Sequence, residues 1–250
     1  MKQTAQVASV SQVGAVRWCE ALLVLLLACL SRAAADEPPK EPSPEERTRL
    51  EQQAKELDDQ AHALYGQGRY PEATKLLQQA LDINRKLYPK GRYAQGHPRL
   101  AISLNNLGFL LQEQGEYGQA LDYYRQALHM NQQLYPKQRY PRGHPELATS
   151  LNNLGTLLEE EREYGRALDY LRQALEMDRQ LYPKERYPQG HPDLALSLHN
   201  LGGLLQAQGE YGPALDYLQQ ALRMHQQLYP EGRYPHGHPE LADCLNNLRL

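Results

Sequence analysis

The chain has 250 residues, with 27 Lys and Arg against 30 Asp and Glu, and a formal net charge of −3. Hydrophobic residues make up 41%, as in soluble globular proteins, and the near-neutral charge argues against a general nucleic-acid binder, which normally carries a basic excess. Tyrosine is over-represented, with 17 Tyr against one Phe and one Trp, which indicates a short unit copied several times. Only Cys244 of the three cysteines lies outside the N-terminal apolar region, so we expect no internal disulfide framework and no multi-cysteine zinc site.

Residues 1–35 have the features of a secretory signal peptide. Lys2 and Arg17 precede an apolar run at 21–30, and a small-residue cleavage pattern follows it. Such a run makes a helix of about 15 Å, roughly half of a bilayer core. We therefore expect cleavage before Asp36, a secreted or periplasmic location, and no membrane insertion after signal cleavage. The mature chain would lose three basic residues and one acidic residue and carry a net charge of −5.

Two alternatives to this interpretation stay open. In the first, the segment ending in Cys29 resembles a bacterial lipoprotein cleavage box, which would anchor the protein to a membrane at that cysteine. In the second, the start codon is misassigned.

Residues 36–49 follow as a Pro/Glu-rich linker, and the composition of this segment predicts an extended, solvated spacer. A docking segment is the alternative for this stretch.

A 47-residue period organises the rest of the chain. The tripeptide Gly-His-Pro occurs four times, and the units between its copies align without a gap. Periods of this size are typical of stacked supersecondary units. Each unit carries two helical patterns: helix A begins at His-Pro, since Pro fits a first helical turn, and helix B is stopped by a later Pro. The four histidines of the tripeptide are His97, His144, His191 and His238.

Large and small residues recur at fixed spacing in each unit, and their pattern resembles the tetratricopeptide repeat. The second unit carries Leu104, Leu107, Gly108, Leu111, Ala120, Tyr124 and Ala127. Its later copies carry Leu151, Leu154, Gly155, Leu158, Ala167, Leu171, Ala174 and Leu198, Leu201, Gly202, Leu205, Ala214, Leu218, Ala221. A degenerate first copy uses Leu57, Gln60, Ala61, Leu64, Ala73, Leu77 and Ala80. We expect Gly108 to face Ala120, so that the two helices of a hairpin approach closely.

The His-Pro-x-Leu-Ala-x-Ser-Leu-Asn-Asn-Leu-Gly run is similar, more narrowly, to the kinesin-light-chain type of repeat, with about five extra residues per unit. The resemblance implies an all-α fold, a right-handed α-solenoid of helix-turn-helix repeats. Its units would be four repeats at about 50–96, 97–143, 144–190 and 191–237, followed by a terminal helix at 239–250.

The extra residues lie between helix B and the next helix A, and each copy holds Tyr-Pro and then Arg-Tyr. Two interpretations are open for these tyrosines. Either they pack the connecting loops along one edge of the stack, or they form a second, Arg/Tyr-lined binding edge, since exposed Tyr and Arg are favoured contact residues. The pairs are Tyr88 and Tyr93, Tyr135 and Tyr140, Tyr182 and Tyr187, and Tyr229 and Tyr234.

Stacked helix pairs of this family place the A helices on a concave face, and polar residues beside the Leu/Gly seam predict a peptide-binding groove there. An Asn amide offers a donor and an acceptor, so a row of them can bind the backbone of an extended peptide. The alternative is that some of these Asn residues brace neighbouring repeats. The candidate groove residues are Asn105, Asn106, Phe109, Asn152, Asn153, Thr156, His199 and Asn200.

The chaperone-binding tetratricopeptide domains hold a terminal carboxylate with Lys and Arg in the groove. The corresponding positions here hold neither residue, so we expect no carboxylate clamp. Glu113, Glu159 and Glu160 add acidity to the A helices, which favours a neutral or mildly basic peptide. The five clamp positions are Asp58, His62, Asn106, Thr149 and Asn153.

The sequence contains no phosphate loop, zinc-protease motif or nucleophile elbow. The repeated histidines lie one per unit, about 9–10 Å apart, whereas the ligands of one zinc ion lie about 2 Å from the metal. We therefore expect structural histidines, no catalytic residue, no metal and no cofactor. The predicted function is a non-catalytic protein–protein interaction scaffold whose groove binds an extended peptide segment of a partner.

Residues 239–250 begin a fifth helix A, and Arg249 stands where earlier units have the seam glycine. This segment either caps the stack or leaves Leu245 and Leu248 partly exposed, which favours self-association. A structural self-assembly unit that stacks through its C-terminal end is therefore the alternative function.

Overall fold

The computed structural model describes residues 41–230, 232–234 and 238–247, and every regular element within them is a helix. The predicted signal peptide, residues 36–40 of the predicted linker, and residues 248–250 lie outside the described residues. The helices are α1 (Pro44–Tyr65), α2 (Tyr70–Leu87), α3 (Pro98–Glu113), α4 (Tyr117–Leu134), α5 (Pro145–Glu160), α6 (Tyr164–Leu181), α7 (Pro192–Ala207), α8 (Tyr211–Leu228) and α9 (Pro239–Asn247).

Helix α1 begins earlier than the sequence pattern predicted, because residues 44–49 are helical and not part of a linker. The Ser43 hydroxyl oxygen accepts the Glu46 backbone N–H at 3.1 Å and so caps the helix. Pro44 occupies the first turn, where its missing N–H is not needed. Arg47 and Glu51 form an ion pair of 3.2 Å one turn later. Residues 44–49 are therefore helical because of this cap and ion pair, although their Pro/Glu-rich composition predicted an extended linker.

The A helices begin where the Gly-His-Pro tripeptide predicts. His97, His144 and His191 lie in extended backbone immediately before their helices. In each, the ring Nδ1 accepts the backbone N–H two residues later, at 3.3 Å. The histidines therefore act as N-caps, with Pro at the first helical position.

The helices pair as four hairpins, α1/α2, α3/α4, α5/α6 and α7/α8, and α9 packs against α8. Each B helix also packs on the A helix of the next hairpin, and the A helices α3, α5 and α7 contact one another in sequence. Small and leucine side chains fill the interfaces, as Ala120, Ala167 and Leu171 are fully buried. These contacts confirm the predicted all-α solenoid of stacked hairpins.

The nearest neighbour of the seam glycine is a large residue of helix B. A Cβ on Gly108 would lie 2.6 Å from ring carbons of Tyr124, and no atom of Ala120 is among its three nearest contacts. In the next two hairpins, Gly155 lies against Leu171, and Gly202 lies against Leu218 and, at 3.3 Å from its Cβ position, the Ala214 carbonyl oxygen. The glycine therefore makes room for the large residue of helix B that lies one turn beyond the alanine.

The loop tyrosines pack the connections between repeats. Tyr135 is buried and lies face to face with His144, with ring centroids 3.5 Å apart, and Tyr140 meets both rings edge-on. The other three loops repeat this trio with centroid distances within 0.3 Å of these. This geometry supports the loop-packing interpretation of the tyrosines.

Candidate functional site

A cleft of about 320 Å³ opens on the A-helix face between α1, α3 and α5. It spans the first three repeats. Helices α1 and α3 contribute both polar and apolar residues to its lining, and α5 contributes polar residues alone. Its floor and walls include the buried Ala61, Leu77 and Leu110. The lining side chains that a ligand would meet are Asp58, His62, Tyr65, Ile102, Asn106, Phe109, Glu146, Thr149 and Asn153.

One wall of the cleft is apolar and partly open to solvent. Phe109 is 39% exposed and Ile102 is 41% exposed, which is unusual for large hydrophobic residues in this chain. The Tyr65 ring packs on Phe109 with centroids 5.3 Å apart. Exposed apolar surface rimmed by polar groups is typical of an interaction site.

Two carboxyl groups give the cleft an acidic character. Burial raises the pKa of Asp58, the neighbouring Asp59 adds to the effect, and Arg99 opposes it more weakly. Burial also raises the pKa of Glu146, with a further contribution from Asp193. Desolvation disfavours a charged carboxylate unless a donor compensates it, so the site favours a ligand that brings hydrogen-bond donors.

The five predicted clamp positions all line this cleft, and they come from α1, α3 and α5. They supply one carboxylate, one imidazole, two amides and one hydroxyl in place of Lys and Arg. The positions at which the sequence analysis expects no carboxylate clamp therefore lie together in one cleft, and none of them is Lys or Arg.

The predicted groove residues divide into two sets. Asn106, Phe109 and Asn153 line the cleft, and the side chains of the first two are exposed. Thr156 lies half-buried one turn beyond Asn153, and its hydroxyl donates to the backbone carbonyl of that residue at 3.1 Å. Three of these four residues line the cleft, and Thr156 lies beside it without being part of its lining.

Asn105 and Asn152 belong to the second set, which braces neighbouring repeats. They are 6% and 5% exposed. The Asn105 amide donates to the Ser150 hydroxyl at 3.1 Å, and the Asn152 amide donates to Ser197 at 2.6 Å. Asn105 also lines the cleft, but the amide N–H groups of both residues serve the contact between repeats. The contacts of these two amide nitrogens therefore favour the alternative that some of the Asn residues brace neighbouring repeats.

The other two predicted groove residues also make contacts between repeats. His199 has its Nδ1 3.2 Å from the Cys244 sulfur, at the position that Asn and Ser occupy in earlier repeats. The Asn200 amide donates to the Asn152 side-chain oxygen at 3.5 Å. Both side chains remain half-buried, so they lie at the junction of the groove and the repeat interface.

A buried polar ladder thus runs through the stack, and the sequence analysis missed it. In each of three repeats, a polar residue of helix B bonds to the serine of the following helix A. The available signal was a Ser and an Asn recurring every 47 residues on otherwise apolar helix faces. The pairs are Asn84–Ser103 at 3.0 Å, Asn131–Ser150 at 2.9 Å and Asp178–Ser197 at 2.6 Å.

Titratable groups of the third repeat are perturbed by the same packing. Burial raises the pKa of Asp178 to about 6, although its hydrogen bond from Ser197 acts in the opposite direction. Burial raises the pKa of Glu159 on the A-helix face to about 7, with a contribution from Glu160. These two carboxyl groups therefore titrate close to neutral pH.

Among the described residues, no three His, Cys, Asp or Glu side chains lie close enough together to hold a metal ion. Within the same part of the chain, no helix has both the length and the apolar character needed to cross a membrane.

The comparisons with known proteins agree with this architecture. A family model described as the tetratricopeptide repeat matches residues 56–133 and 137–180, and a second model with the same description matches residues 194–240. No curated protein matches the chain in sequence.

Solved structures share the fold at low sequence identity. BtubC (BKLC) from P. vanneervenii is 22% identical with a TM-score of 0.57, covering 92% of this chain and 78% of its own. A Podosopora anserina protein described as a kinesin light chain with nearly identical TPR-like repeats is 21% identical with a TM-score of 0.57. A variant of that protein is 20% identical with a TM-score of 0.58, and both cover 81% of this chain and 84% of their own.

Proposed function

Since the chain belongs to the tetratricopeptide-repeat family, we propose that it is a scaffold that holds an extended segment of a partner protein on its A-helix face. Repeats of this family generally bind proteins or peptides and are typically non-catalytic. The observation that carries the proposal is the cleft between α1, α3 and α5, where exposed Asn106 and Phe109 lie beside Thr149 and Asn153.

The arrangement suits an extended segment more than a folded surface. Asn106 and Asn153 occupy equivalent positions of consecutive repeats, one on α3 and one on α5. Adjacent packed helices lie about 8–10 Å apart, and an extended chain covers that distance in about three residues. Two amides at this spacing can therefore pair with the backbone of one extended segment.

The test is a selection of random peptides on the full-length chain, followed by affinity measurement in solution by fluorescence anisotropy. Replacing Asn106 and Asn153 by Ala should weaken the selected peptides by about tenfold or more, since each lost hydrogen bond contributes about 0.5–1.5 kcal/mol. The helix content and the oligomeric state of this double variant should stay the same as those of the parent chain. The matched control is Gln126→Ala, because Gln126 is an exposed amide on α4 whose side chain bonds only its own helix backbone.

The proposal is wrong if the selected peptides bind the Asn106→Ala, Asn153→Ala variant as tightly as the parent chain. A selection that enriches no peptide against the parent chain contradicts it as well.

Self-assembly through residues 239–250 is the second candidate, favoured by one observation. Leu245 on α9 is 47% exposed at the end of the described stack. Light scattering over a tenfold concentration range separates the two cases, since an assembly unit gains mass with concentration and Leu245→Glu should restore the monomer. A mass that stays monomeric at all concentrations excludes this function.

Export across a membrane is part of the proposal, supported by the apolar run at 21–30 and the small residues after it. N-terminal sequencing of protein recovered outside the cytoplasm should begin at Asp36. Recovery in a membrane fraction that is lost on Cys29→Ser would point to the lipoprotein alternative instead.

A further inference from the structure

The acidic groups of the cleft are concentrated in the first three repeats. Asp58 on α1 has a carboxyl oxygen, Oδ1, that is shielded from solvent and accepts no hydrogen bond from any described residue. Glu146 reaches the same cleft from the first turn of α5. A half-buried carboxylate with an unused lone pair is electrostatically costly until a donor arrives.

Asn105 provides a second, independent acceptor. It lines the cleft, is only 6% exposed, and uses its amide nitrogen on Ser150. Its side-chain oxygen has no hydrogen-bond partner within the described part of the chain. Buried polar atoms are normally satisfied. Of the buried oxygens without a partner among the described residues, this one and the Asp58 Oδ1 belong to residues that line the cleft, and they come from the A helices of adjacent repeats.

No Lys or Arg of the cleft itself faces these acceptors, since its lining residues include neither, and His62 is the one lining residue with an imidazole. Arg99 acts on Asp58 from outside the cleft and is the smallest of the three influences on that carboxyl group. The carboxyl groups of Asp58 and Glu146 therefore favour a ligand group with a positive charge.

The wall beside these acceptors is aromatic and aliphatic. Tyr65 and Phe109 pack together, and Ile102 lies exposed on the same helix as Phe109. Lys and Arg side chains have apolar stems that pack on such surfaces, and their charged heads are attracted to aromatic ring faces. An acceptor pair next to aromatic rings suits these two side chains better than a backbone amide, which has no stem and no charge.

We infer that this cleft is a recognition pocket for a Lys or Arg side chain of the bound segment, and that the segment carries an apolar residue beside it. The inference rests on the proposed peptide-binding function and specifies its chemistry. The Lys or Arg head donates to Asp58 and to the Asn105 oxygen, Glu146 adds negative charge, and the neighbouring apolar residue packs on Phe109 and Ile102.

The repeats themselves restrict this pocket to one place in the stack. The position of Asp58 is held by Asn105, Asn152 and His199 in later units, and the position of Glu146 is held by Arg99 in the preceding unit. The following unit also has a carboxyl group, Asp193, at the position of Glu146, but there the position of Asp58 is held by Asn105, so the pair of carboxyl groups belongs to the α1–α3–α5 cleft. The pocket therefore fixes the register of a segment that the repeated amides alone would bind at several positions.

The experiment selects random twelve-residue peptides on the full-length chain and compares the sequences enriched. We expect Lys or Arg at one fixed position next to an apolar residue. Anisotropy on the best peptide should show binding weakened about 10- to 100-fold by Asp58→Asn with Glu146→Gln, since hydrogen bonds to charged groups are worth about 1.5–3 kcal/mol. Replacing the basic residue of the peptide by norleucine should have a similar effect, and should have little further effect on the variant.

The matched control is Asp122→Asn, because Asp122 is an exposed carboxylate on α4, away from the cleft. The Asp58→Asn change removes a carboxylate that burial disfavours, so the variant should fold at least as well as the parent chain, and circular dichroism checks this.

Three outcomes are distinct. A fixed basic position that loses its effect on the double variant supports the pocket. Peptides that require Asn106 and Asn153 but show no basic preference overturn the pocket and leave the proposed function standing. Peptides that ignore both sets of substitutions, or no enriched peptide at all, overturn both.

Discussion

The imidazole of His144 lies parallel to the phenol ring of Tyr135, with the ring centroids 3.5 Å apart and the planes 2° apart. The same imidazole accepts the Glu146 backbone N–H through Nδ1 at 3.3 Å. One side chain therefore ties the end of α4, through Tyr135, to the start of α5. The ring trio repeats in all four loops, and the same pair of contacts, stacking and cap, joins the repeats at His97, His144 and His191. At the fourth junction the His238 ring stacks on Tyr229, but its Nδ1 accepts no hydrogen bond from a described residue.

His144→Ala should lower the free energy of unfolding by about 1.5–2.5 kcal/mol. This sums an N-cap worth about 1 kcal/mol and an aromatic pair worth about 0.5–1.5 kcal/mol. Urea unfolding followed by circular dichroism measures it, and hydrogen exchange should show the loss concentrated in the first turn of α5. His144→Asn should recover the cap and therefore part of the stability. A result in which the exposed His129→Ala on α4 costs as much as His144→Ala would refute this assignment.

The pH dependence of the same contact has a defined sign. Burial lowers the pKa of His144, so the folded state favours the neutral ring. The unfolded chain takes up the proton at about pH 6.5. The contribution of the neutral His144 ring to the free energy of unfolding is therefore complete above about pH 6.5, and it is lost as the pH falls below that value. Unfolding free energies measured between pH 5 and 8 should show this loss, and the loss should be smaller in His144→Ala.

Asp178→Asn should stabilise the protein at pH 7. The carboxyl of Asp178 is fully buried, and its pKa is raised to about 6, so the folded state binds the proton more tightly than the unfolded chain. Stability is therefore lost as the pH rises from about 4 to about 6, and a shift of this size corresponds to about 2–3 kcal/mol at neutral pH. Asn occupies the equivalent position in the two preceding repeats, as Asn84 and Asn131.

The measurement is the difference in unfolding free energy between Asp178→Asn and the parent chain at pH 4 and pH 7. The gain should be present at pH 7 and largely absent at pH 4. Asp169→Asn is the control, since Asp169 is exposed on the same helix. An equal gain at both pH values would show that the charge is not its cause.

Asn152→Ala should affect the stability of the protein and Asn153→Ala should affect peptide binding, although the two residues are neighbours in sequence. Asn152 is buried and bonds Ser197 across the repeat interface, so its loss should reduce the unfolding free energy by about 1–3 kcal/mol. Asn153 lines the cleft, so its loss should weaken peptide binding with little effect on stability. Unfolding and anisotropy on both variants test this pair, and two variants with the same profile would contradict it.

Gly143→Ala should destabilise the junction before α5. Gly143 has φ of +86°, a conformation that costs an L-residue about 1–2 kcal/mol, and a Cβ there would collide with the Met177 side chain. Gly118→Ala is the matched control, because a Cβ on Gly118 meets nothing within 4 Å. The thermal midpoint should fall for the first variant and hold or rise for the second. Adding Met177→Ala should relieve the collision and leave the backbone strain.

The sequence by itself determined the repeat architecture of this protein. The 47-residue period located the histidines at the starts of the A helices, and the spacing of leucine, glycine and alanine located the contacts between the two helices of each hairpin. This was possible because every unit repeats the same pattern, so a position that is ambiguous in one copy is defined by the others. The start of α1 was misplaced because its cap, Ser43, lies outside the repeated pattern and within a proline-rich stretch.

Tertiary structure alone decided which polar side chains bond within the stack and which are exposed. Asn105 and Asn106 are adjacent in sequence and identical in chemistry, yet one is buried against the next repeat and the other is exposed in the cleft. The difference arises because consecutive helical positions point about 100° apart, and only the packing of neighbouring helices fixes which direction becomes an interface. The joining of Asp58 and Glu146 in one cleft likewise depends on the stacking of three hairpins, which no single unit of the sequence contains.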